Sequence, residues 1–147
     1  MSPRWFRLLF NVYPPFLGAG IRVAEIARDW RRVRVRMPLR WFNRNYVGTH
    51  FGGSLYAMTD PFLMIMAIQN LGPDFVVWDK AATIDFVAPG RGTVTAEFRL
   101  DEADLERMRQ ETTGGRKYQP WFDVEVRGED GTLVARVRKQ LYVRRKT

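Results

Sequence analysis

The 147-residue sequence contains no cysteine and one histidine, His50. Disulfides and thiolate metal sites are therefore excluded, and so is a histidine-rich metal centre. A reducing compartment is allowed but not required. Long apolar runs are also missing. The run Leu55–Ile68 falls short of the ~20 residues that span a bilayer, and it contains an acid. Leu8-Leu9-Phe10 is too short for the apolar segment of a secretory signal. There is no internal repeat, no low-complexity stretch and no recognised nucleic-acid motif. A soluble, cytoplasmic protein is expected.

What the chain does have is apolar content and positive charge. Hydrophobic residues make up 46%, enough for a sizeable core, and the length suits a single domain over residues 1–147. The net charge is +8. Three uses compete for it: a solvated basic surface, a nucleic-acid face, or arginines that match the phosphates of an anionic ligand.

Ser2-Pro3 reads as a helix cap and first helical position. An apolar stripe of Trp5, Phe6, Leu8, Leu9 and Val12 follows, with Arg4 and Arg7 off it. Pro14-Pro15 is expected to end this helical extension, residues 1–15. Its stripe suits packing on the domain or on a partner subunit; a membrane surface is the other use of such a stripe. Alternation predicts strands over 20–26 and 32–37, the second with Val33, Val35 and Met37 inward and its arginines in solvent. Residues 38–49 read as an ordered loop. Strands are expected over 75–88 and 93–100, a charged helix over 101–113, and a hairpin of 119–127 with 132–144 around Glu129-Asp130-Gly131. The pattern is α+β, a long helix wrapped by a mostly antiparallel sheet.

The sharpest functional signal lies in Asn43–Asn70. From Phe51 to Gln69 nearly every side chain is apolar or small, as in a buried helix. One carboxylate, Asp60, sits in it. Burying an unpaired carboxylate is expensive, and burial would raise its pKa and improve it as a base. Gly52-Gly53 leaves free N–H groups at the helix start, where an oxyanion can bind. Two readings of Asp60-Pro61 stay open. A kinked helix can run through the proline, or Asp60 can cap a helix that begins there.

The block Asn45-x-x-Gly48-Thr49-x-x-Gly52-Gly53 followed by Asp60, with Asp79…Phe86-x-x-Pro89-x-x-Gly92 downstream, resembles the hotdog-fold thioesterases of the phenylacetate type. Pro14-Pro15-x-x-Gly18-x-Gly20-Ile21 and His50-Phe51-Gly52-Gly53 resemble one branch more narrowly, the domain of unknown function 4442. The resemblance implies a hotdog fold that dimerises into one continuous sheet, with active sites at the subunit interface. It implies that Gly52, with Gly53 beside it, holds the thioester carbonyl. Asp60 matches the family's general base or nucleophile. Asn45 matches an asparagine near the leaving sulfur or the attacking water, and Asp79 falls where the family has serine or threonine. Two positions depart from the pattern. Phe51 stands where the family has histidine, with His50 one residue earlier, and Asp79 replaces the hydroxyl. Both bear on catalysis, not on fold.

On this reading the chain hydrolyses an acyl-CoA or other acyl thioester, as a homodimer or a dimer of dimers. His50 can shuttle a proton or serve as a hydrogen-bonded structural residue. Tyr56, Met58, Met64 and Met66 can line an acyl tunnel or pack the core. Arg91 and Arg116 are candidates for gripping coenzyme A phosphates; coenzyme A enters as part of the substrate and no separate cofactor is expected. The alternative is a non-catalytic hotdog protein that binds an acyl group or acyl-CoA. A basic nucleic-acid-binding protein is a third, weaker reading.

Overall fold

The computed structural model describes residues 1–147. Helix α1 (Pro3–Val12) starts as the sequence indicates: the Ser2 side chain accepts from Trp5 N–H and Pro3 occupies the first turn. Pro14-Pro15 ends α1 and also opens a second short helix, α2 (Pro14–Ala19), which the sequence reading missed. A proline at a helix start loses nothing, because its missing N–H would have had no intrahelical partner there. Gly20, at φ 75°, ends α2 in the left-handed region.

Strands β1 (Arg22–Ile26) and β2 (Arg32–Met37) follow, then helices α3 (Gly52–Ala57) and α4 (Phe62–Leu71). Next come β3 (Phe75–Phe86), β4 (Val94–Arg99), α5 (Glu102–Glu111), a two-residue β5 (Lys117–Tyr118), β6 (Trp121–Gly128) and β7 (Leu133–Arg145). The strands form one sheet in the order β1-β2-β4-β6-β7-β3, with β5 also against β7, and every pairing is antiparallel. Alternation places Val33, Val35 and Met37 of β2, Val94, Ala96 and Phe98 of β4, and Val137, Leu141 and Val143 of β7 in the core. Met58, Phe62, Leu63 and Met66 pack on that face from the helical side, joined by Leu105 and Met108 of α5. The outer face is polar. Several of its arginines are paired with carboxylates: Arg32 and Arg34 with Glu25, Arg127 and Arg136 with Glu125, and Arg138 with Asp123.

The central helical segment is interrupted rather than kinked. After α3 the backbone takes i→i−3 bonds, Thr59 N–H to Tyr56 O and Asp60 N–H to Ala57 O, and α4 begins only at Phe62, beyond a cis Asp60-Pro61 bond. Proline has no N–H to give and its ring clashes inside a helix, so the hydrogen-bond ladder stops there. The apolar character continues across the break because residues on both sides of it share one core. The capping alternative fails too. No side chain caps α4, and the Asp60 carboxylate is engaged elsewhere.

The two ends of the sheet differ. Along β1, Asn11 of α1 accepts from Val23 N–H (2.8 Å) and donates to Val23 O (3.1 Å), and Arg7 donates to Ala24 O. Side chains of α1 thus occupy that edge. β3, twelve residues long, pairs only with β7, so its outer edge is open. No helix is long and apolar enough to cross a membrane.

Candidate functional site

Six of the predicted site residues fall into two groups, at opposite ends of α3; Arg91 and Arg116 lie outside both. The first is built around a residue the sequence reading missed. Lys139 is fully buried on β7, and its ammonium donates to Asp60 Oδ1 at 3.0 Å and lies 3.4 Å from Asp79 Oδ2. The Tyr56 ring is the other neighbour, with Nζ 5.4 Å from its centroid. Asp60 is therefore not a lone carboxylate in an apolar rod. It is ion-paired, and 46% of its side chain is exposed. The reason is the break at Pro61, which puts Asp60 in a turn rather than inside a helix. Alternation carried along β7 marks Lys139: Ala135, Val137, Lys139, Leu141 and Val143 all face inward, and the lysine is the polar member of that row.

Burial pushes the Asp79 carboxyl up to about 6, Asp60 adds to the rise as hydrogen-bond partner and like charge, and Lys139 opposes it. Asp79 Oδ1 is buried without a partner. A proton on that oxygen would convert it from an orphaned acceptor to a donor toward Asp60. Burial also works against the charge on Lys139, but Asp79 and Asp60 outweigh it and hold the ammonium above its ordinary value. The cluster is one cation shared by two unequal carboxylates, one half in solvent and one largely enclosed. It places Asp79 beside Asp60, with Lys139 between them. Lys80, which follows Asp79, turns away to Gln119.

The second group surrounds a cavity of about 350 Å³ lined by Asn45, Thr49, His50, Gly52, Leu55 and Phe86, among others. The backbone bonds of α3 begin with Ser54 and Leu55, which both donate to Phe51 O. The N–H groups of Gly52 and Gly53 come earlier and have no acceptor within the chain. A Cβ on Gly52 would come within 3.0 Å of the Phe86 ring, so glycine keeps this approach open. His50 is buried. Its Nε2 bonds Gly92 O at 2.8 Å, which fixes the proton on that nitrogen, while Nδ1 has no partner. Burial pushes its pKa down against the opposing effect of the Gly92 carbonyl, so the imidazole is neutral near pH 7.

Asn45 lines the cavity, but its amide is committed to its own loop. Nδ2 donates to Thr49 Oγ1 and His50 O, and Oδ1 accepts from Val47 and Thr49 N–H. The neighbouring Asn43 ties the loop to Ala19 O and Pro38 O. Met58 and Met66 are buried in the core and Met64 packs against it. Arg91 is exposed in a cleft it shares with Glu129 and Asp130, and Arg116 donates to Gln110 O near the end of α5. Neither lines the cavity at Gly52. Phe86 and Val87 of its lining are exposed apolar side chains, and Tyr46 and Phe51, next in sequence to lining residues, are exposed as well.

Within one chain the two groups are separate. Neither Asp60 nor Asp79 lines the cavity at Gly52. The whole of α3 and the turn after it lie between them, on the order of 12 Å of rise along the backbone. A carbonyl held on the glycine N–H groups would be out of reach of Asp60 of the same copy.

Comparison with known proteins agrees with this fold. A Pseudomonas aeruginosa protein of unknown function superposes with TM-score 0.85 at 22% identity, covering 99% of this chain and 97% of its own. A thioesterase from Haemophilus influenzae gives 0.71 at 15% identity, covering 99% and 92%. A mutant thioesterase from Pseudomonas aeruginosa gives 0.71 at 14%, covering 99% and 95%. At these identities the likeness is one of fold. No curated protein matches the sequence. The sequence matches the family described as Domain of unknown function (DUF4442) over residues 3–143, nearly its whole length. The chain belongs to that family, and it shares its fold with these solved structures.

Proposed function

We propose that the protein hydrolyses an acyl thioester, with coenzyme A as the natural thiol, at a site composed from two copies. The observation that carries this is the pairing of unspent groups: two glycine N–H donors without acceptors at an apolar-rimmed cavity, and a half-exposed carboxylate fixed by a buried lysine. Solved neighbours named as thioesterases support the same chemistry. Two copies joined along the open β3 edge would bring Asp60 of one toward Gly52 of the other, through the continuous sheet that the resemblance implies. Water, with its proton taken by Asp60, adds to the thioester carbonyl. The oxyanion forms on Gly52 and Gly53 N–H, the C–S bond then breaks as the carbonyl re-forms, and the thiolate leaves as thiol with the proton that Asp60 had taken. The cavity at His50 and Phe86 would take the acyl group.

One observation favours a second reading, an acyl-binding protein without catalysis. Lys139 already occupies Asp60 Oδ1, which leaves one carboxylate oxygen to meet a water. Turnover of an acyl-CoA panel by wild type and Asp60→Asn decides between them. The hydrolase reading expects a loss of about 10²-fold or more in kcat for the variant. Equal, background rates with retained acyl-CoA binding support the second reading. The nucleic-acid reading gains little from the sheet, because Arg32, Arg34, Arg127 and Arg138 on its outer face are matched by carboxylates.

A further inference from the structure

A surface helix ordinarily turns its apolar side inward. α1 does this only in part. Its polar residues Arg7 and Asn11 face the β1 edge, where they bond Ala24 O and Val23 N–H and C=O. Phe6 and Phe10 pack on Trp30, Phe16 and Phe62. The side left to solvent holds Trp5, Leu8, Leu9 and Val12, spaced three and four residues apart and each more than half exposed. An apolar face of this size is unusual on a surface that covers nothing.

We propose that this face docks the protein on an anionic lipid bilayer, with α1 lying in the plane of the headgroups. The charge around it fits that occupant. No acidic residue occurs before Glu25, whereas Arg4, Arg7 and Arg22 do, and Arg4 and Arg22 are exposed. Glu25 is itself bound by Arg32 and Arg34. Leu17, Phe42, Arg22 and Arg40 line a shallow cleft next to Asn11, which extends the same mixture of apolar and cationic groups beyond the helix. Exposed Trp41 stacks edge-on against Phe42. Tryptophan with flanking arginine is the composition of an interfacial anchor. A second copy is a poorer occupant. A two-fold contact would set this face against itself and bring arginines toward arginines, with the one carboxylate beside Arg4 and Arg7, Glu25, already bound by Arg32 and Arg34. The inference stands apart from the reading of the Asp60 site.

Flotation with vesicles tests it, comparing pure phosphatidylcholine with phosphatidylcholine containing about a quarter phosphatidylglycerol. The wild-type chain should float with the anionic vesicles, remain below with the neutral ones, and be released in part by raised salt. Leu8→Asp with Leu9→Asp should reduce partitioning by roughly 100-fold. Arg4→Glu with Arg22→Glu leaves the apolar face and the core untouched and should also abolish flotation. It keeps the test decisive if the leucine variant does not fold. The proposal is overturned if the wild-type chain ignores anionic vesicles or binds neutral ones equally. It is overturned as well if the leucine variant changes only the oligomeric mass, since the face would then be a contact between copies.

Discussion

At the scale of single residues, Lys139 decides how Asp60 and Asp79 behave. Removing one partner of a buried pair leaves the others uncompensated, at a cost of about 3–5 kcal/mol where burial is complete. Here Asp60 reaches solvent and relaxes part of that penalty. Lys139→Met should therefore destabilise the fold by roughly 2–4 kcal/mol at pH 7 in denaturant titration. The loss should shrink below about pH 6, where Asp79 takes a proton and removes one of the two charges. Asp79 gives a second prediction. Its folded pKa, about 6, lies above its ordinary 3.8. Its contribution to stability is thus complete at low pH and lost as pH rises through 6. The Tm of wild type minus that of Asp79→Asn should fall across that window and level off above it. A flat difference from pH 4 to 7 would mean that Asp79 is ionised throughout. Of this cluster the sequence singled out Asp60 as an acid in an apolar stretch, and the resemblance singled out Asp79. The sequence misled on Asp60's surroundings, because apolar neighbours in sequence suggest burial while a break in the helix turns the carboxylate outward. Lys139 went unseen because the strand was read for its existence and not for its two faces.

At the scale of elements, period and punctuation predicted well. β2 lies on its predicted residues, and the other long strands and α5 match within a few residues of their turns. What failed was proline. The same residue type closes α1, opens α2 and splits α3 from α4, and composition alone does not say which role a given proline takes. The short β5 was also missed, since two residues carry no readable alternation. The junction of α1 with β1 was not legible either. Asn11 looks like a break in an apolar stripe, yet it substitutes for a neighbouring strand by pairing both backbone groups of Val23. Asn11→Ala leaves that donor and acceptor unmatched and should cost about 1–3 kcal/mol. Limited proteolysis should then cut near α1 sooner than in wild type while the core sheet stays protected. Equal protection of the two proteins would show that aromatic packing by Phe6 and Phe10 holds the helix alone.

At the scale of the whole molecule, the Gly52 and Gly53 N–H groups and the Asp60 carboxylate lie at opposite ends of α3, and the proposed site needs a second copy to bring one of each together. Gly52→Pro isolates the donor. Phe51 is extended, at φ −64° and ψ 129°, a conformation that a following proline accepts, and the first helical position tolerates proline. The ring would meet only the outer atoms of Phe86, an exposed side chain able to swing aside. The variant should fold, lack one N–H, and lose about 10²–10³-fold in kcat. Asp60→Asn disables the other half. Each variant alone is then inactive at every site. If the site is composite, mixing the two after reversible dissociation gives heterodimers in which one site joins the intact Asp60 of the Gly52→Pro chain to the intact Gly52 of the Asp60→Asn chain. Random pairing makes half of the dimers mixed, each with one good site of two, so about a quarter of wild-type activity should return. If both halves act within one chain, or if the chain does not pair, mixing restores nothing. Sedimentation of the 17.2 kDa chain separates these last two outcomes, because a monomer and a dimer differ twofold in mass.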